Sequence, residues 1–191
     1  MKHIELGCKL MDEKYKHILE FGVYKGRTIN LIRNYFSKDY KVFGFDSFEG
    51  LPEDWVDLNK NIAGDGVCVK GFFSTNNEIP DIKDVKFYKG WFENTIHEYL
   101  KEVEDIGLLH VDCDLYSSTK TVLYNLNDYI KPNTIIVFDE WVYYSGGNDR
   151  NDDHEQKCFY EWVKDFNREY ELINHYDGTS SNEQQIVKIL K

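Results

Sequence analysis

A chain of 191 residues with 34 Asp and Glu against 23 Lys and Arg carries a formal net charge of −11. That balance argues against an extended nucleic-acid or anionic-membrane surface, which needs clustered cations. Aromatics are frequent, with 14 Tyr, 12 Phe and 4 Trp, while Pro is scarce at 3, so an ordered single domain spanning 1–191 is expected. Cys8, Cys68, Cys113 and Cys158 form no Cys-x-x-Cys pair, and residues 1–14 contain no apolar signal core. No run approaches the roughly 18 apolar residues of a membrane span, so reduced thiols in a cytoplasmic protein are expected.

The chain is organised around residues 19–28, Leu-Glu-Phe-Gly-Val-Tyr-Lys-Gly-Arg-Thr. Residues 16–21 read as a buried strand, Gly22 and Gly26 as a turn, and Ile29, Ile32 and Phe36 recur at helical spacing. A ligand in such a unit lies over the turn at the strand's carboxyl end. Glu20 is a poor neighbour for a pyrophosphate and suits an amine or a sulfonium, and the third glycine of a dinucleotide site is missing.

Residues 41–46 form a second short strand ending in Asp46, where nucleotide folds keep a ribose-binding carboxylate. The excursion 47–84 is long for a crossover and is expected to hold a helix and an aromatic flap carrying Trp55, Phe72 and Phe73, with glycines at Gly64 and Gly66. A third strand, 85–88, leads to Gly90-Trp91-Phe92, where an adenine can stack, and then to a short helix over 95–103.

A fourth, strongly apolar strand, 106–112, runs through Cys113-Asp114 into a helix that Ser117 or Ser118 can cap. A fifth, 134–140, ends in Asp139-Glu140, followed by a polar loop to residue 153 and a helix carrying Phe159, Trp162, Val163 and Phe166. Residues 171–176 and 184–190 flank a turn signal at 177–182. The expected fold is α/β, a Rossmann-like doubly wound sheet of about seven strands, mostly parallel, with a C-terminal antiparallel hairpin. In such a sheet the strand ends face one crevice, so Asp112, Asp114, Asp139 and Glu140 offer hard oxygen ligands suited to Mg²⁺ or Mn²⁺.

Taken together, Glu20-Phe21-Gly22-x-x-x-Gly26, Gly44-Phe45-Asp46-Ser47-Phe48-Glu49-Gly50-Leu51-Pro52, Gly90-Trp91-Phe92-x-x-Thr95, His110-Val111-Asp112-Cys113-Asp114-Leu115-Tyr116-x-Ser118-Thr119 and Phe138-Asp139-Glu140-Trp141 resemble the macrocin O-methyltransferase family. The resemblance implies S-adenosylmethionine as methyl donor, a divalent metal, and transfer to a hydroxyl of a sugar-bearing natural product. It implies that Glu20, Phe21, Gly22, Gly26, Thr28, Asp46, Ser47, Phe48, Gly90, Trp91, Phe92 and Asp112 surround the cofactor, and that Asp112, Asp139 and Glu140 hold the metal. The family often ends its fifth strand in Asp-Asp, where this chain has Asp139-Glu140. Leu115 stands where catechol-type relatives place a lysine, so another base is needed. His154, opening the last long helix, is the first candidate and Asp114 the second.

The expected partner is a small hydroxylated acceptor, a sugar or glycoside, entering between the segments 47–84 and 141–153, with Trp141, Tyr143, Tyr144, Asn148, Asp149 and Asn151 on the second wall. No nucleic acid and no membrane are expected, and a homodimer is left open. The competing readings are a non-catalytic S-adenosylmethionine-binding module, a methyltransferase acting on a nitrogen of a macromolecule, and a nicotinamide-dependent enzyme.

Overall fold

The computed structural model describes residues 2–56, 67–141, 155–173 and 184–191. His154, the loop 142–153, the turn at 177–182, Gly64 and Gly66 lie outside these residues. The elements in order are α1 (Lys2–Leu10), β1 (His17–Phe21), α2 (Arg27–Tyr35), β2 (Lys41–Asp46), β3 (Trp55–Val56), β4 (Val67–Cys68), β5 (Val85–Lys89), α3 (Phe92–Tyr99), β6 (Ile106–Val111), α4 (Tyr116–Leu126), β7 (Ile130–Phe138), α5 (Glu155–Asp165), β8 (Tyr170–Ile173) and β9 (Gln185–Ile189). Seven strands join in the order β5-β2-β1-β6-β7-β9-β8. The first five of these pair in parallel, and β9 and β8 add on antiparallel, as the hairpin signal predicts.

Continuous apolar strands demand cover on both faces, and alternation along each strand divides the core in two. Ile18, Val42, Leu108, Ile135 and Val137 face α1 and α2. Their neighbours Leu19, Phe43, Leu109, Ile136 and Phe138 face the layer of α3, α4 and α5. The chain runs outward from β1 to β2 and β5, then returns to start β6 on the other side of β1. The ends of β1 and β6 therefore flank the switch point of the sheet, where a crevice opens.

Several local expectations are corrected. Helix α1 was not foreseen; it is short, and its buried face of Ile4, Gly7 and Cys8 acquires meaning only against the sheet, where Gly7 lies on Val137. Among the described residues the excursion 47–84 holds no helix but a two-stranded ribbon, β3 against β4. Its base is closed by Leu51 N–H donating to Phe72 O and Gly71 N–H donating to Leu51 O, and Gly50 at φ 89° passes so near Phe72 O that a Cβ would lie 2.3 Å from it. Helix α3 begins at Phe92 rather than Thr95. Strand β7 begins at Ile130 rather than at residue 134, because Thr134 Oγ1 accepts from Lys131 N–H and donates to Ile106 O, keeping the irregular start on the sheet. Neither Ser117 nor Ser118 caps α4; the cap position is Leu115, and the Ser117 hydroxyl instead donates to Glu53 across the cleft mouth.

At the switch point Gly22 has φ 89°, and a Cβ built there would lie 1.7 Å from Asp112 O. Gly22→Ala should therefore cost at least about 3 kcal/mol of stability, since both the backbone strain and the clash act on buried main chain. Urea unfolding with an unchanged midpoint would contradict this account of the turn.

Candidate active site

A cleft of about 780 Å³ opens over the carboxyl ends of β1, β2 and β6. Gly22 and Tyr24 come from the first turn, Asp46 and Ser47 from the end of β2, and Trp91, Phe92 and Glu93 from the start of α3. Asp112, Cys113, Asp114 and Glu140 form its floor near β6 and β7, while Leu51, Pro52, Glu53, Lys70 and Phe73 of the ribbon and Ser117, Ser118 and Thr121 of α4 wall the far side. The size suits a cofactor plus a small molecule.

The Asp46 carboxylate is already at work in the main chain. Its Oδ2 accepts from the Val23 and Tyr24 amides at 2.8 and 2.7 Å, and its Oδ1 from the Phe48 amide at 2.7 Å. Two backward-facing residues, Tyr24 at φ 49° and Phe48 at φ 58°, bring those amides to it. A carboxylate has about four acceptor directions, so Asp46 keeps about one free direction while it shapes the turn.

Of the residues expected around the cofactor, Gly22, Asp46, Ser47, Trp91, Phe92 and Asp112 reach the cleft. The others stand behind its wall. Phe21 is buried and stacks on Phe45, Phe48 is buried, Gly26 abuts Pro80 and Ile82, and Gly90 N–H donates to Asp46 O. Thr28 is half-buried in the first turn of α2. Glu20 is buried with Oε2 2.9 Å from His110 Nδ1, and its Oε1 has no hydrogen-bond partner among the described residues. Burial raises its pKa and His110 lowers it.

Asp112, Asp114 and Glu140 bring carboxylate oxygens within 4.8 Å of one another. All three are among the four acids that the sequence offers as ligands, and Asp112 and Glu140 also belong to the set that the family resemblance implies. Asp114, put forward from sequence as a base, completes the trio, whereas Asp139 accepts a hydrogen bond from the Gln184 side chain and lies 4.0 Å from His110 Nε2. Asp114 reaches its place through a strained turn: its φ is 62°, and Leu115 N–H donates to Cys113 O two residues back at 2.6 Å. Such backbone costs of order 1–3 kcal/mol, which the surrounding fold must offset.

The electrostatics of the trio are unfavourable without a cation. Burial, then Asp139 and Asp114, hold the Asp112 carboxyl well above the usual range. Burial, then Asp139 and Asp46, push Asp114 up to about 7. Glu140 is raised by burial, Asp114 and Glu155, and its Oε2 is buried with no partner among the described residues. Half-buried carboxylates with an orphaned oxygen fit a hard divalent cation that keeps some waters. Among the described residues no group of His and Cys competes.

Sequence reasoning missed Glu155. It is fully buried, accepts from the Cys113 amide at 3.4 Å and from the Glu140 amide at 3.1 Å, and so joins the segments that carry the trio. A Glu opening a helix resembles a dipole-complementing surface residue, so no local signal marked it. Two aromatics expected on the acceptor wall are core instead. Trp141 is buried against Phe138 and Phe159, and Trp55 is buried with Leu51, Cys68 and Leu115. Phe73 does reach the cleft and meets Tyr24 edge to face at 5.7 Å.

Known methyltransferases resemble this chain in sequence and in fold. Demethyldecarbamoylnovobiocin O-methyltransferase of Streptomyces niveus is 26% identical over 156 residues, 73% of this chain and 58% of its own. The 8-demethyl-8-(2,3-dimethoxy-alpha-L-rhamnosyl)-tetracenomycin-C 4'-O-methyltransferase of Streptomyces olivaceus is 26% identical over 141 residues, 65% of this chain and 52% of its own. The chain thus spans little more than half the length of these curated relatives. The fold matches the calicheamicin methyltransferase CalS11 with a TM-score of 0.68 at 20% identity, over 97% of this chain and 76% of that one. It also matches the mycinamycin-pathway methyltransferase MycE, solved with Mg, SAH and mycinamycin VI, with a TM-score of 0.56 at 12% identity, over 100% of this chain and 49% of that one. The family model for macrocin O-methyltransferase (TylF) matches residues 10–159, and the chain belongs to that family.

Proposed function

We propose that this protein is an S-adenosylmethionine-dependent O-methyltransferase that uses Mg²⁺ or Mn²⁺ and acts on a hydroxyl of a small sugar or glycoside. The observation that carries the reading is that the Asp112, Asp114 and Glu140 trio lies in the floor of the same cleft that the glycine turn and Asp46 open into. When bound, the cofactor supplies a methyl group on a sulfonium and the cation supplies charge that makes a nearby hydroxyl more acidic. The relatives' names support a glycosidic acceptor, and MycE, solved with Mg and SAH, supports the cation.

The chain's own residues divide the work. Asp46 orders the turn amides and takes the ribose, and Trp91 and Phe92 offer faces to the adenine. Glu53, Lys70, Ser117 and Thr121 present polar groups on the far wall, where acceptor hydroxyls can be held. Tyr24 and Phe73 narrow the opening to water. Asp114, the base candidate that lies in this floor, takes the hydroxyl proton on the carboxylate oxygen turned away from the cation. The described residues of 47–84 that line the cleft supply the acceptor cover; His154 and 142–153, the other candidates for base and cover, lie outside the described residues.

Three outcomes are expected. Methyl transfer from labelled cofactor to a panel of sugars and glycosides should require added Mg²⁺ or Mn²⁺, and full turnover after exhaustive chelation would remove the metal. Asp112→Asn should lower turnover by about 100-fold or more while calorimetric S-adenosylhomocysteine affinity stays within a few-fold, because an amide cannot offset the cation's charge.

The third outcome concerns pH. A carboxyl whose folded pKa lies above its unfolded value holds extra protons in the native state, so the metal-free protein loses stability as pH rises from about 4 to about 7, the window set by Asp114. A cation must displace those protons while pH lies below about 7, but not above it. Millimolar Mg²⁺ should therefore raise the melting temperature by about 2–4 °C at pH 8 and by less than half of that at pH 5. Equal shifts at both pH values would contradict cation binding at these acids.

A further inference from the structure

The three acids of the cleft floor are carried by two chain ends that barely hold each other. Asp112 and Asp114 follow β6 and Glu140 follows β7, and the last paired residues of these strands are Val111 and Phe138. Beyond that pair the ladder adds one bond, Asp139 N–H donating to Val111 O at 3.0 Å. A side chain from a third element also bridges the two segments. Glu155 Oε1 accepts from Cys113 N–H, between Asp112 and Asp114, and Oε2 accepts from Glu140 N–H. Glu155 is fully buried and does not line the cleft.

Packing alone does not explain a carboxylate at this place. It is buried beside Asp114 and Asp139, where an apolar side chain of similar size would avoid both desolvation and repulsion. What only a carboxylate supplies is two acceptors on one rigid plane, matched to two amides on different segments. We propose that Glu155 is a positioning residue that sets the separation of Asp112 and Asp114 from Glu140, and through it the affinity of this site for a divalent cation. The proposal rests on the reading of those acids as a cation site.

Glu155→Gln tests it, because glutamine keeps the size but turns an NH₂ donor toward one of the two amide donors. Mn²⁺ affinity of the purified protein, read by electron paramagnetic resonance, should fall by about 10-fold or more, the usual effect of losing the group that orients a ligand. S-adenosylhomocysteine affinity, read by calorimetry, should stay within about twofold, since the glycine turn and Asp46 are untouched. A variant that binds Mn²⁺ within about twofold of the unaltered protein overturns the proposal and leaves the cation site standing. A parallel loss of S-adenosylhomocysteine affinity assigns Glu155 a general structural role and overturns it as well. An unaltered protein that binds no Mn²⁺ overturns the cation site itself and the proposal with it. Should the variant not fold, hydrogen exchange in the unaltered metal-free protein decides: the Cys113 and Glu140 amides should be protected, and prompt exchange at either overturns the proposal.

Discussion

The approach of two main chains at the switch point governs the rest of the molecule. Strands β1 and β6 run side by side until Asp112 N–H donates to Phe21 O, and there Gly22 turns away with its α-carbon against Asp112 O. No side chain fits between them, so the turn can bend toward Asp46 and present the Val23 and Tyr24 amides to that carboxylate. The same contact places Asp112 beside the turn, where the glycine-turn end of the cleft meets its acidic floor. A single close packing thus couples the glycine-turn end of the cleft to its acidic end.

The floor is assembled against its own electrostatics. Four carboxylates, Asp112, Asp114, Glu140 and Glu155, all have raised proton affinity, with burial the leading cause in each and neighbouring acids next. One of them, Asp114, also rests on a strained backbone. A fold tolerates such an arrangement when the remaining core is ample, and here two apolar layers cover both faces of a seven-stranded sheet. The strain and repulsion are then available to a ligand of opposite charge, which gains affinity by relieving them. Glu20 and His110 make a separate buried pair behind this floor, so the acid of the first motif acts on the core side of the strand.

The wall opposite the floor is built differently. It is a ribbon fastened by a few backbone bonds around Gly50 and Gly71, carrying Glu53, Lys70 and Phe73, and joined to α4 by the Ser117 to Glu53 contact. Family relatives act on unlike natural products, and a wall of this kind can vary without disturbing the sheet beneath.

By itself the sequence determined the architecture. Apolar runs of strand length alternating with helical periodicity require a covered parallel sheet, the signal at 177–182 requires an antiparallel end, and acids and glycines placed after those runs must gather at one edge. These are local patterns, and they survive folding because each strand's neighbours are set by burial. Which carboxylates meet was decided only in three dimensions. Asp139 and Glu140 are adjacent in the chain, yet Glu140 joins Asp112 and Asp114 while Asp139 turns to Gln184, 45 residues later. Glu155 reaches the floor from a helix whose docking depends on Phe159 and Trp162, and Trp141 sank into that same packing. Contacts of this kind depend on how helices seat on the sheet, a sum of many small packing terms that no short stretch of residues encodes.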